Sequence, residues 1–166
     1  MNRRRLRIYL NDHLAAAAAV AARASACAAA RRDTDLDVAI AAFADEAAED
    51  RDEIIRVMYD LGLRRNHVKV AAAIAAERTG RLKLNGSLVR YSPLSRLEEL
   101  ELFTAGAAAN ALMWETMREL SDVEPRLDAS KAAARQRRAS ERSDTLAELR
   151  RHFVRQAFAQ SGAHLP

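Results

Sequence analysis

Small and aliphatic residues recur at alternating steps of four and three through two long stretches of this chain, and this spacing most constrains its fold. The first series is Leu6, Leu10, His13, Ala17, Val20, Ala24 and Cys27, and the second is Leu36, Ile40, Phe43, Ala47, Asp50, Ile54, Val57 and Leu61. Because a helix places such positions on one face, each stretch predicts an amphipathic α-helix. Alanine, the strongest helix former, is abundant, whereas glycine (5) and proline (3) are rare. The sequence therefore predicts an all-α protein.

Capping and breaking residues set the limits of the predicted helices. Helices are expected at about 3–31, 35–61, 66–79, 93–120 and 128–159. Gly62 is expected as the C′ glycine of the second helix, and Pro93 is tolerated in the first turn of the fourth. Gly80 and Asn85-Gly86 are expected to break the short helix. Four long antiparallel helices in a single domain over 1–166 predict a four-helix bundle, with the connector 63–92 either crossing it or capping one end.

Net charge and hydropathy argue against two classes of protein, nucleic-acid binders and membrane-spanning proteins. The net charge of +4 is modest and no aromatic residues alternate with the arginines, so a dedicated nucleic-acid binder is not predicted. The chain contains no run of 18 apolar residues, so no membrane span is predicted. The single cysteine, Cys27, fits a reducing compartment, and the predicted location is the cytoplasm. An exported lipoprotein anchored through Cys27 is the alternative, although Asp12 and Arg23 interrupt the region that a signal peptide keeps apolar.

Carboxylate and imidazole side chains lie on or beside the apolar face of all four long predicted helices. They are His13, Glu46, Asp50, Glu101, Glu148 and His152. Burying such groups is costly unless they are paired or bind a metal, so they are the candidate site residues. Glu101 is the strongest candidate because Leu97 and Leu112 flank it on the helical wheel, whereas Glu98 and Glu99 are expected to point outward. In an up-down-up-down bundle all of these positions fall at one level, to within about a turn.

This level of inward acids and imidazoles resembles the ferritin-like di-iron carboxylate proteins, which place a Glu on each of two helices and Glu-x-x-His on the other two. The resemblance implies one or two iron or manganese ions and either oxidation by dioxygen or metal storage. The ligands it implies are Glu46, Asp50, Glu101 and Glu148, with His13 and His152 supplying nitrogen. The chain departs from the motif, since Glu148 and His152 are spaced i, i+4 and His13 stands where a glutamate is expected.

A metal-free alternative is open for the same residues. In it the inward polar groups pair with one another and with arginines, and the chain is a helical interaction or scaffold module that can self-associate. The run Ala105–Ala109, interrupted by Gly106, would let a second backbone approach closely, so it predicts a homodimer contact. The sequence contains no phosphate-binding glycine loop, nucleophile elbow or Cys-x-x-Cys pair. Stretches 9–13, 80–86 and 91–95 also resemble uncharacterised proteins of high-GC bacteria, which implies no activity.

Overall fold

Long α-helices make up most of the described chain. The computed structural model describes residues 1–30, 35–83 and 93–158, and within these ranges it has five helices and no strand. They are α1 (Arg3–Ala29), α2 (Asp35–Asp60), α3 (His67–Lys83), α4 (Pro93–Leu120) and α5 (Ala129–Phe158). The all-α class is confirmed, and the predicted helices are all present. Among these residues, no helix combines the length and the apolar character that crossing a membrane requires.

The largest difference from the predicted helix limits is at the end of α3. The sequence predicts an end before Gly80, but the helix continues through this glycine to Lys83. A single glycine costs a helix only about 1 kcal/mol relative to alanine, so a strongly helical stretch can absorb it. The other predicted breakers, Asn85-Gly86 and Asp33-Thr34, lie outside the described residues, as does the chain from 159 onward.

Gly62 ends α2 as the sequence predicts. Its φ of +62° lies in the left-handed region, where a side chain would be strained. The amide of Gly62 donates to the carbonyl of Tyr59 at 2.8 Å, and the amide of Leu63 donates to that of Met58 at 2.8 Å. This pair of bonds is a Schellman motif, which satisfies two carbonyl groups that the helix end would otherwise leave unpaired.

The same end of α2 is held by arginines from two other parts of the chain. Arg3 of α1 donates to the carbonyl of Leu61 at 2.5 Å, and Arg126, which precedes α5, donates to it at 3.2 Å. Arg126 also binds both carboxylate oxygens of Glu124, at 2.7 and 2.8 Å. These bonds hold the pKa of Glu124 at about 2. Charge-assisted hydrogen bonds thus connect the C-terminal end of α2 to α1 and to the segment before α5.

The buried side chains form two hydrophobic clusters, one toward each end of the long helices. The first, the lower cluster, includes Leu6, Leu10, Leu14, Ile54, Met58, Leu61, Met113, Trp114 and Met117. The second, the upper cluster, includes Ala21, Ala24, Leu36, Ile40, Phe43, Leu100, Phe103, Leu146 and Phe153. In α1, α2 and α4 a short stretch separates the residues of one cluster from those of the other, and in α5 the stretch between Ala132 and Leu146 does so. That intermediate level is where the buried polar groups described below are found.

The most extensive helix contacts are those of α4 with α5 and of α1 with α2, α3 and α4. The contact of α1 with α4 is close at Gly106, where an added Cβ would lie 2.9 Å from Cγ2 of Val20. Gly106 therefore allows α1 of the same chain to approach, and it is not exposed for a second copy as the sequence hypothesis assumed. A contact between copies through α4 would have to use its outer face, which carries Leu102, Ala105 and Leu112.

Candidate functional site

A cavity of about 50 Å³ lies at the level between the two hydrophobic clusters. Each of the four long helices contributes one polar residue to its lining: His13 from α1, Asp50 from α2, Asn110 from α4 and Arg142 from α5. His13 and Asp50 were predicted from the sequence to lie at one interior level, and both line this cavity. Asn110 and Arg142 were not among the predicted site residues. We call these four residues the polar level.

Small side chains create the space. The remaining lining residues are Ala16, Ala17, Val20, Phe43, Ala47, Gly106, Ala107 and Ala109. Alanine and glycine leave room between helices where leucine or phenylalanine would fill it. The alanine-rich sequence of α1 and α4 therefore has two effects: it permits the close approach at Gly106, and it leaves a cavity directly beside that approach.

Arg142 links the two acids of α2 that the sequence assigned to a metal site. Its guanidinium forms ion pairs with Glu46 and with Asp50, and its side chain is only 9% exposed. It also lies over the ring of Phe43, with its Cζ atom 6.0 Å from the ring centroid. Burial raises the pKa of Asp50 above its usual value even though Arg142 and Arg135 lower it. Burial of the ionised Asp50 carboxylate thus costs free energy, and the ion pair with Arg142 offsets most of that cost.

Asn110 is the least satisfied polar group of the site. The residue is 9% exposed, and neither the nitrogen nor the oxygen of its side-chain amide forms a hydrogen bond with any described residue. Buried amides are usually bonded, because leaving one without partners costs free energy that folding must supply elsewhere. An amide in this state at the wall of a cavity presents both a donor and an acceptor to whatever enters.

His13 is half-buried beside the same cavity. Its ring packs against Tyr9 with a centroid distance of 4.5 Å, and the Tyr9 hydroxyl donates to the Thr116 hydroxyl at 3.1 Å. Burial lowers the pKa of His13 below its usual value, although the charge of Asp12 acts in the opposite direction. The imidazole is therefore neutral at pH 7, so it adds a hydrogen-bonding group to the polar level but no charge.

Below the cavity, ion pairs continue between α2 and α5. Glu53, which is 1% exposed, contacts Lys131 at 3.0 Å, Arg56 at 3.1 Å and Arg135 at 3.2 Å. Arg135 also lies 3.8 Å from Asp50. Burial would raise the pKa of Glu53, but the hydrogen bond from Lys131 and the charges of Arg135, Lys131 and Arg56 outweigh it and lower the pKa. The ion pairs between the two helices run in opposite chain directions: Glu46 pairs with Arg142, and the later Glu53 pairs with the earlier Lys131.

The structure does not bring the other predicted ligands to the polar level. Glu101 is exposed and accepts two hydrogen bonds from Arg150, at 2.9 and 2.7 Å, so the prediction that it faces inward is wrong. Glu148 is exposed and lies 3.4 Å from Arg151. His152, also exposed, lies 3.5 Å from the Gln156 amide. Among the described residues, no three His, Cys, Asp or Glu side chains are grouped so that they could hold a metal ion.

Glu99 is the carboxylate that α4 buries, although the sequence analysis expected it to point outward. It is 4% exposed and accepts a hydrogen bond of 2.6 Å from Arg23 of α1. Arg23 also lies 3.5 Å from Glu77 of α3, so it joins three helices. The signal that could have identified this network is Arg23 itself, the one charged residue in the alanine-rich stretch 14–30. Asn110 gives the same kind of signal within the apolar second half of α4.

Comparisons with known proteins provide no relative for this site. No protein-family model matches the chain, and neither a curated protein nor a solved structure is significantly similar to it. What the site can do is therefore inferred from its chemistry. The polar level offers a charge-compensated acid, a neutral imidazole and an unpartnered amide around a small apolar cavity, which is an arrangement suited to binding.

Proposed function

We propose that this chain is a metal-free four-helix bundle that acts as a helical interaction or scaffold module, in which the interior acids are ion-pair partners of arginines. The order of the ion pairs supports antiparallel packing of α2 and α5: Glu46 pairs with Arg142, and Glu53, two turns later, pairs with Lys131. The helix contacts of α1 with α2 and of α4 with α5 are those expected of sequential antiparallel neighbours.

The observation that carries this proposal is the guanidinium of Arg142 between the acids of the predicted metal site. Arginine stays protonated at any physiological pH. A divalent cation about 4 Å from it would meet a repulsion of about 8 kcal/mol at an effective dielectric constant near 20. A metal ion at Asp50 would therefore have to displace the arginine. The di-iron centre implied by the ferritin-like resemblance stays a prediction, and the ion pairs favour the metal-free alternative.

Metal content tests the proposal directly. Protein purified without chelator should contain iron and manganese far below one ion per chain by inductively coupled plasma mass spectrometry. Its Tm should be unchanged by added Mn²⁺ or by EDTA, because binding to the native state alone would raise it. Near-stoichiometric iron or manganese that is lost in Asp50→Asn, but kept in the exposed control Asp45→Asn, would contradict the proposal and support a metal centre.

Self-association is the second part of the proposal, and α4 offers the surface for it. Leu102, Ala105 and Leu112 form an apolar line on its outer face, and Leu112 is 63% exposed. We take a second copy of the chain as the partner, because a two-fold contact would set this line against itself with the small Ala105 allowing close approach.

The mass in solution should therefore depend on concentration. We expect size-exclusion chromatography with light scattering to show a dimer that Leu112→Glu converts to monomer, because the introduced charge would be buried at the contact. Val123→Glu is the matched control, since Val123 has the same exposed fraction of 63% but lies off α4. A monomer at every concentration, or equal effects of the two substitutions, would refute self-association through α4.

A further inference from the structure

We infer that the cavity of the polar level binds a small neutral molecule with an amide-type edge, meaning an N–H donor and a C=O acceptor side by side, as in a lactam. This inference is separate from the scaffold role, because it concerns the interior of the bundle and not its surface. It rests on three properties of the cavity, which are its hydrogen-bonding groups, its charge balance and its size.

The hydrogen-bonding groups point to an amide-type edge. The Asn110 side chain is buried at the cavity wall with both its nitrogen and its oxygen unbonded. A primary amide presents its C=O acceptor and one N–H donor side by side along one edge of its plane. Its best complement is therefore a donor and an acceptor with the same spacing. A lactam, in which the ring holds N–H and C=O on one side, can form both hydrogen bonds at once. A ketone or an N-methylated lactam can form only one of them.

The charge balance points to a neutral molecule. Asp50 is compensated by Arg142, and Arg142 contacts Glu46 as well, so the charged groups at this level already have partners. An ionic ligand would bring an additional charge into a site walled mostly by alanine, Val20 and Phe43. Burying an unpaired charge there would cost more than the hydrogen bonds to Asn110 return. A neutral ligand avoids that cost and leaves the ion pairs intact.

Size and access fit a molecule of a few atoms. A cavity of about 150 Å³ holds benzene, so about 50 Å³ encloses about two or three non-hydrogen atoms, enough for the N–H and C=O of an amide edge, and the rest of a small ring would lie in the opening at the surface. Its apolar walls suit the methylene groups of a small ring, and its polar groups orient the amide edge. Ala16 is exposed while also lining the cavity, so the cavity reaches the surface beside α1.

The inference can be tested with 2-pyrrolidinone, a five-membered lactam, followed in ¹H–¹⁵N spectra of the full chain. We expect saturable shifts at Gly106, Ala107 and Ala109, with a dissociation constant in the millimolar range for so small a ligand. N-methyl-2-pyrrolidinone and cyclopentanone should bind at least about tenfold more weakly, because each leaves one group of Asn110 unpaired. Absence of saturable shifts, or equal binding of the three compounds, would overturn the inference.

Two variants locate the binding. Asn110→Leu keeps the size of the side chain but removes both hydrogen-bonding groups, and it should abolish the preference for 2-pyrrolidinone over cyclopentanone. Ala16→Leu should block the cavity from the surface and abolish binding, and it carries the test if Asn110→Leu does not fold. Ala41→Leu, at an exposed position of α2 that does not line the cavity, should bind as the unaltered chain does. Retention of the preference in Asn110→Leu, or of binding in Ala16→Leu, would overturn the inference.

Discussion

Replacing Arg142 with methionine is expected to lower the free energy of unfolding by about 3 kcal/mol at pH 7, because it leaves a buried acid without its main partner. Asp50 is 8% exposed, and among the described residues Arg135, at 3.8 Å, would be the ion-pair partner that remains. Methionine keeps most of the length and apolar contact of the arginine stem, so the effect reports the charge. Urea denaturation followed by the fluorescence of the single tryptophan, the buried Trp114, measures it.

Arg138→Met is the matched control one turn away on α5. Arg138 is 54% exposed and lies 3.9 Å from Glu49, which is 60% exposed, so its loss should cost less than about 0.5 kcal/mol. The double variant Arg142→Met with Asp50→Leu should regain most of the lost stability, since no buried charge is then left unpaired. If Arg142→Met costs no more than Arg138→Met, the interior ion pair is not what holds α2 to α5.

The pH dependence of the Arg142→Met effect has a definite sign. Burial raises the pKa of Asp50 above its usual 3.8, so the folded state binds this proton more tightly than the unfolded state does. The stability contributed by Asp50 is full below pH 3.8 and is lost as the pH rises through the raised pKa. Removing Arg142 raises the pKa further. The difference in stability between the unaltered chain and the variant should therefore grow as the pH rises from about 4 to 7.

Helix positions were predictable from this sequence because their signals are local. Gly62 shows this most clearly, since a glycine after an apolar series predicts a left-handed C′ residue whatever packs against it. The predicted start of α4 at Pro93 is confirmed for the same reason. The end of α3 was missed because a lone glycine such as Gly80 is only a weak breaker within a helix.

Which face of α4 is buried could not be predicted in the same way. From Leu102 to Trp114 this helix is apolar on nearly every side, so the hydrophobic period does not select one face. The face of Glu101 and Leu112 was predicted to be buried, whereas the buried face carries Glu99, Phe103 and Asn110. The choice depends on packing between helices, since α4 lies against Val20 of α1 at Gly106 and makes its most extensive contact with α5.

Which arginines pair with the interior acids could not be predicted from the local sequence either. The α5 segment 135–142 carries four arginines, namely Arg135, Arg137, Arg138 and Arg142. Only the packing of α5 against α2 distinguishes Arg142, whose side chain is 9% exposed, from Arg138, whose side chain is 54% exposed. The sequence could therefore identify Asp50 as an interior acid that needs a partner, but not which residue supplies the partner.

Replacing Glu53 with glutamine should also be strongly destabilising, by about 2 kcal/mol at pH 7. The carboxylate is 1% exposed and is surrounded by Lys131, Arg135 and Arg56, which would repel one another without it. Glutamine keeps the size of the side chain, so the loss reports the charge-assisted bonds, which are worth about twice neutral ones. Glu49→Gln is the control on the same helix, because Glu49 is 60% exposed.

The pH dependence of Glu53→Gln is expected to be opposite in sign to that of Asp50, one turn earlier on α2. The pKa of Glu53 is lowered from its usual 4.5, so its contribution to stability is full above pH 4.5 and is lost as the pH falls through the lowered pKa. The difference between the unaltered chain and Glu53→Gln should therefore be constant from pH 7 to about 5 and shrink below 4.5. If it shrinks already between pH 7 and 5, the pKa of Glu53 is raised, and burial outweighs the three cations. The opposite signs follow from partner number, since Glu53 has three close cations whereas Asp50 depends chiefly on Arg142.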